Sequence, residues 1–144
     1  MVDFYKEWYT GFEEGLKKMD SKSRTILLTE CGHACSESYT KQEYIDAYSN
    51  SLNITQFFEN LRRKFPELIV EPIEDGKTYD FVYSFCACDL VKKRYIKSPL
   101  MCECSKQSLL YNLETVFGKG KVNITLLQSI LGGSNSCRLR VQFL

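Results

Sequence analysis

The chain is expected to fold as one α+β domain, an antiparallel sheet of about four strands packed with helices in the order ααα-ββ-α-ββ. Two observations carry this reading. Apolar residues recur at helical spacing as far as Phe65, then the pattern changes to alternation between strand-like runs separated by Asp75-Gly76 and by Gly132-Gly133. The three prolines, Pro66, Pro72 and Pro99, fall near the expected boundaries. With 144 residues, 44% hydrophobic and 13% aromatic, residues 1–144 suffice for a single domain with its own core.

Phe4, Trp8, Phe12 and Leu16 place a narrow apolar stripe on a first helix over Asp3 to Met19, weakened by Gly11 and Gly15. A long second helical segment runs from about Ser23 to Tyr48. On it Cys31 and Cys35 are one turn apart on one face, and His33 turns toward the other side. Asn53 is a good N-cap for a third helix that stops at Pro66. LIVEPI and TYDFVYSFCAC, joined by EDGK, read as a hairpin, with Cys86 and Cys88 ending its second strand on one face. A basic loop KKRYIKSP follows. MCEC comes next, Ser105 is a candidate cap, and a helix runs to Gly118. KVNITLLQSIL, GGSN and SCRLRVQFL suit a closing antiparallel hairpin.

Charge and composition narrow the partners. With 19 basic and 18 acidic residues the net charge is +1, too weak a field to attract nucleic acid or anionic lipid. No apolar stretch approaches the roughly 18 residues of a membrane span. The opening MVDFYKEWYTGFEEG has no basic region, apolar run or small-residue cleavage site. The expectation is a cytoplasmic protein with reduced thiols, and the odd cysteine count leaves at least one thiol free in any intramolecular scheme.

Those thiols are the feature that points toward chemistry. Six of the seven form tight pairs, Cys31/Cys35, Cys86/Cys88 and Cys102/Cys104, and Cys137 stands alone in the last strand. Three readings compete. Cysteine packs as a small hydrophobe. Thiolates from a helix face, a strand end and a pre-helix loop could also converge on zinc or another thiophilic metal, although Cys-x-Cys is not the usual structural zinc spacing. Finally, Cys102 and Cys104 precede a helix start, where the backbone dipole lowers a thiol pKa and favours reactivity. A Cys–His pair would have to use His33, which faces away from its neighbouring cysteines and suits a solvent-facing or capping role. Glu30, Glu37 and Asp89 read as solvated charge, as do Lys92, Lys93 and Arg94. Arg138 and Arg140 read as a polar strand face. There is no phosphate loop, dinucleotide fingerprint or serine-nucleophile elbow.

The segment FCACDLVKK…SPLMCECSKQSLLYNLETVFGKGKVNITLLQSILGGSNSCRLRV resembles the 4-vinyl-reductase-like ligand-binding domains. It is most similar to the bacterial L-2-amino-thiazoline-4-carboxylic acid hydrolase-like group, whose Cys-Gly-x-x-Cys in a first-half helix is matched by CGHAC. The resemblance runs from about Arg24 to the C-terminus. It implies a dimer-forming domain with a pocket between sheet and helices that takes small apolar or aromatic molecules. In some sensor relatives zinc is held at positions matching Cys102 or Cys104, Leu126, Ser129 and Cys137. Leu126 cannot ligate and Ser129 would ligate poorly, so that zinc site is not expected in its family form.

The reading is a small-molecule-binding domain whose pocket is lined by Cys31, Cys35, Cys86, Cys88, Cys102 and Cys104, with a small apolar or aromatic ligand as partner. The Phe4–Trp8–Phe12–Leu16 stripe either caps the core or forms a two-fold interface, and because the resemblance favours the interface a homodimer is expected. Two alternatives remain: a thiol-dependent hydrolase of a small cyclic amide-like or thiazoline compound, and a metal-binding structural module.

Overall fold

A computed structural model describes residues 2–144 and follows the expected order of elements. Helix α1, Phe4–Lys18, starts where the Asp3 carboxylate accepts the Tyr5 and Lys6 amides at 3.0 and 3.3 Å. Helix α2, Ser21–Cys35, starts at Asp20, which accepts the Ser23 amide at 2.8 Å. A π turn, Ser36–Thr40, carries it directly into α3, Lys41–Ser49, so the long helical segment read from Ser23 to Tyr48 is continuous but wider by one turn there. Asn53 caps α4, Ile54–Lys64, by accepting the Gln56 amide at 2.9 Å. Strands β1, Leu68–Glu74, and β2, Thr78–Tyr83, flank a tight turn in which Gly76 takes φ 79°.

The structure departs from the sequence reading after β2. The strand stops at Tyr83, so Cys86 and Cys88 lie beyond it in an irregular segment, residues 84–101. That segment contains only the single-turn helix α5, Asp89–Lys92, and one 3₁₀ turn, Pro99–Met101. Ser98 caps that turn, and helix α6 already begins at Cys102 and runs to Phe117, so Ser105 is inside the helix and not its cap. Strands β3, Val122–Gln128, and β4, Cys137–Phe143, complete one sheet of order β1-β2-β4-β3, antiparallel throughout.

Alternation along the strands gives the sheet two unlike faces. Tyr79, Phe81, Leu139, Val141, Val122 and Ile124 point to the helices, where they meet Tyr44, Phe57, Leu61, Leu109 and Leu113 in the main core. A smaller, separate core gathers Leu16 of α1, Leu28 of α2, and Ile96 and Met101 of the irregular segment. On the opposite, helix-free face, Arg140 Nε donates to Asp80 Oδ1 at 2.8 Å and Arg138 donates to Asp80 and to Glu71, both at 2.8 Å. The two guanidinium groups cover Asp80 so fully that its side chain has no exposure. Among the described residues no helix is long and apolar enough to cross a membrane.

Helices α2 and α6 approach closely at Gly32. A β-carbon there would stand 2.7 Å from the Cys104 carbonyl oxygen and 2.9 Å from the Ser108 amide nitrogen. One turn on, the Ser36 hydroxyl donates to the Ser108 carbonyl at 3.0 Å and lies 2.7 Å from its hydroxyl. Small residues at Gly32 and Ser36 therefore let α2 and α6 touch backbone to backbone.

Two predictions follow from this packing. Gly32→Ala should destabilise the domain by about 1–3 kcal/mol through overpacking, despite the better helix propensity of alanine. Gly11→Ala, at an exposed α1 position with nothing within 4 Å of the new carbon, should stabilise by up to about 1 kcal/mol. Urea unfolding of both variants tests the contrast. Hydrogen bonds from Arg140 foremost, opposed by desolvation and reinforced by Arg138, hold the Asp80 carboxyl below its ordinary 3.8. Its contribution is therefore fully present above pH 3.8 and is lost as the pH falls through its lower folded value. Asp80→Asn should lower stability at neutral pH and flatten this acid limb.

Candidate functional site

The two cores leave a gap between them. A cavity of about 40 Å³ lies there, walled by three regions of the chain. The irregular segment supplies Cys86, Cys88, Val91, Ile96 and Met101, and α6 supplies Cys102 and Ser105. The β3–β4 hairpin closes the remaining side with Leu126, Ser129, Leu131, Cys137 and Leu139. Four thiols and the Met101 thioether thus face one space whose other walls are mainly aliphatic. The Ser129 hydroxyl accepts the Gly132 amide at 3.0 Å, so this polar group is already engaged. The Ile130 amide donates to the Cys137 sulfur at 3.4 Å, which fixes that thiol at the start of β4.

The six cysteines picked out in the sequence fall in two neighbourhoods. Cys86, Cys88 and Cys102 line the cavity. Cys31, Cys35 and Cys104 sit beside the Gly32 crossing of α2 on α6, outside it. Cys88 joins the two groups, since its charge would oppose ionisation of both Cys35 and Cys104 on one side and of Cys102 on the other. Cys137, set aside in the sequence as solitary, belongs to the cavity. The signal that could have placed it is register, because it pairs with Tyr83, three residues before Cys86. Met101 had no signal in the sequence at all.

Burial dominates the electrostatics of these thiols. Desolvation pushes Cys104 up to about 12, with Cys35, Cys31 and Cys88 adding repulsion. Desolvation also raises Cys31, Cys35, Cys86 and Cys102. The expectation that a helix start lowers the Cys102 and Cys104 pKa is therefore corrected. Both lie within the first turn of α6, but apolar packing outweighs the dipole there. His33 is likewise not solvent-facing or capping. It is half-buried and stacks on Tyr111 at 4.3 Å, and the Tyr111 hydroxyl donates to Glu37 at 2.6 Å.

The zinc positions implied by the family resemblance can be tested on this geometry. Cys102, Leu126, Ser129 and Cys137 do converge on the cavity. Leu126 presents no donor, and among the described residues no three cysteine, histidine, aspartate or glutamate side chains are placed to hold a metal ion. The residues present do not fit zinc in that form.

No protein-family model matches the chain, and no curated protein matches it. Among solved structures it is similar to the phenol-responsive sensory domain of the transcription activator PoxR, determined with phenol. The identity is 12%, the match covers 99% of this chain and 76% of that chain, and the TM-score is 0.60. At this identity the likeness establishes a shared fold.

Because Cys104 is raised in the folded state, the stability it contributes is complete below the unfolded thiol value of 9.0. That stability falls as pH climbs from there to about 12. Cys104→Ala should flatten the loss of stability between pH 9 and 11 in urea titrations. Peptide-resolved iodoacetamide labelling should place half-reaction of Cys102 and Cys104 above the ordinary thiol value of about 8.5.

Proposed function

We propose that this domain binds a small apolar or aromatic molecule in the thiol-lined cavity between its two cores. The observation that carries the reading is the cavity itself: mainly apolar, and placed between sheet and helices, where ligand sites are built. The PoxR sensory domain, named for its response to phenol, has the same fold, which is consistent with a binding role. The resemblance to 4-vinyl-reductase-like domains points the same way.

Binding is favoured over thiol-dependent hydrolysis. A nucleophilic cysteine needs a nearby base or a lowered pKa. Here burial raises the pKa of five thiols, and the only histidine is stacked on Tyr111. The six cysteines then act as polarizable lining and support, with Cys86, Cys88 and Cys102 in contact with the ligand and Cys31, Cys35 and Cys104 behind it. We place the protein in the cytoplasm, where such thiols stay reduced.

We further propose a homodimer. Phe12 and Leu16 turn into the smaller core, but Phe4 and Trp8, farther along the same stripe, are 69% and 54% exposed. Large exposed rings on one helix face suit a second copy of the chain.

A thermal-shift panel of small phenols and alkyl benzenes should raise Tm, and Cys86→Leu, which fills the cavity, should abolish the shift. A panel with no shift in the wild type would refute the binding reading. Trp8→Ala should weaken the dimer by about 2 kcal/mol or more, read by sedimentation, because buried aromatic anchors dominate interface energy. A wild-type monomer at high micromolar concentration would rule the dimer out.

A further inference from the structure

A cavity of about 40 Å³ is far smaller than the roughly 150 Å³ that admits benzene in a protein core. An aromatic ligand therefore requires a wall to move, and one wall differs from the others. We propose that residues 84–101 form a lid over the cavity, and that the Glu13 carboxylate on α1 is the latch that holds the lid closed. This inference rests on reading the cavity as a ligand site.

The lid is tied to the rest of the chain in an unusual way. Its own hydrogen bonds are local, such as Tyr95 N–H to the Leu90 carbonyl at 2.8 Å and Lys93 N–H to the Asp89 carbonyl at 2.9 Å. It can therefore move as a body. Among the described residues, the hydrogen bonds that tie residues 85–98 to other parts of the chain are all accepted by Glu13. Lys97 N–H donates to both carboxylate oxygens at 3.1 and 3.0 Å, and Ser98 N–H donates to Oε2 at 2.5 Å. Glu13 is 5% exposed, so these bonds are shielded from water while the lid is shut. Among the described residues neither the binding site nor any ion pair uses this carboxylate. Arg94, the one non-glycine residue with positive φ among those described, at 62°, lies within the lid three residues before Lys97.

The same latch couples the lid to α1. Tyr9 stacks on Tyr95 at 5.8 Å, and Tyr5 meets it at 6.0 Å. Leu16 packs with the lid residues Ile96 and Met101. Helix α1 is itself held to α2, where Arg24 donates to the Leu16 and Met19 carbonyls at 3.3 Å and Leu28 packs with Leu16. When the lid opens, its contacts with Glu13, Tyr9 and Tyr5 part, while α1 stays packed on α2.

The thiols behind the lid, buried Cys102 and half-buried Cys137, report the motion without any ligand. In the full chain, Glu13→Gln should speed iodoacetamide labelling of Cys102 and Cys137, behind the lid, on the order of tenfold, the effect of losing one charge-assisted hydrogen bond. Cys31 on α2 should label at the wild-type rate. Unchanged rates at Cys102 and Cys137, or an equal rise at Cys31, would overturn the latch. Hydrogen exchange of the wild type provides a test independent of the variant. Amides of residues 90–98 should exchange together and ahead of β2 and β4, and protection equal to those strands would overturn the lid. Phenol serves as the ligand probe, with faster uptake expected in Glu13→Gln. Faster labelling in a protein that binds no phenol in either form would uphold the latch and count against the aromatic-ligand reading.

Discussion

The contact on which the thiol region depends is the backbone approach of α2 to α6 at Gly32. A side chain there would meet the Cys104 carbonyl at 2.7 Å, so the helices touch only because the residue is glycine. Ser36, one turn later, then reaches Ser108, and its hydroxyl fills the place a larger side chain would have pried open. The approach brings Cys31 and Cys35 alongside Cys104 and fixes where α6 begins. From that start Cys102 points into the space beneath the β3–β4 hairpin. The π turn at Ser36–Thr40 belongs to the same arrangement, since it lets Thr40 accept from Asn112 Nδ2 at 3.1 Å while α3 continues against the sheet.

Much of the fold was legible in the chain because its signals are local. Asp3 and Asn53 announce helix starts by offering an acceptor to free amides, and Asp75-Gly76 announces a reversal. The switch from helical spacing to alternation after Pro66 separates the two halves. The site was less legible because it is assembled from distant segments. CGHAC reads equally as a thiol pair or as a helix contact, and only packing shows that its glycine does the closer work. Cys86 and Cys88 read as strand residues because FVYSFCAC is strand-like throughout, yet pairing with β4 ends at Cys137 opposite Tyr83. Glu13 is one of several acidic residues on α1. Its burial depends on amides 84 residues away, which no local pattern encodes.

The thiols also show how environment overrides residue type. A cysteine in the first turn of a helix has a favourable dipole, and four cysteines around one space suggest a metal. Here the same positions are surrounded by Leu126, Leu131, Leu139 and Ile96, which solvate neither a thiolate nor a cation. At Cys86 and Cys102 the neutral S–H form is the one this setting stabilises, and a neutral sulfur is soft and weakly polar. The lining resembles that of an apolar cavity with polarizable walls more than that of a reaction centre.

The covered carboxylate on the open face of the sheet has a separate consequence. Strand side chains alternate, so slipping β2 by one residue against β4 would carry Asp80 into the main core and expel Phe81 onto the open face. A charge cannot be accommodated among Phe57, Leu61 and Val141, and the two arginines would lose the partner they enclose. Asp80 thus acts as a marker of alignment: only one pairing of the central strands keeps it between Arg138 and Arg140. The hairpin that supplies Cys137 to the cavity inherits its alignment from that choice, though the two lie on opposite sides of the sheet.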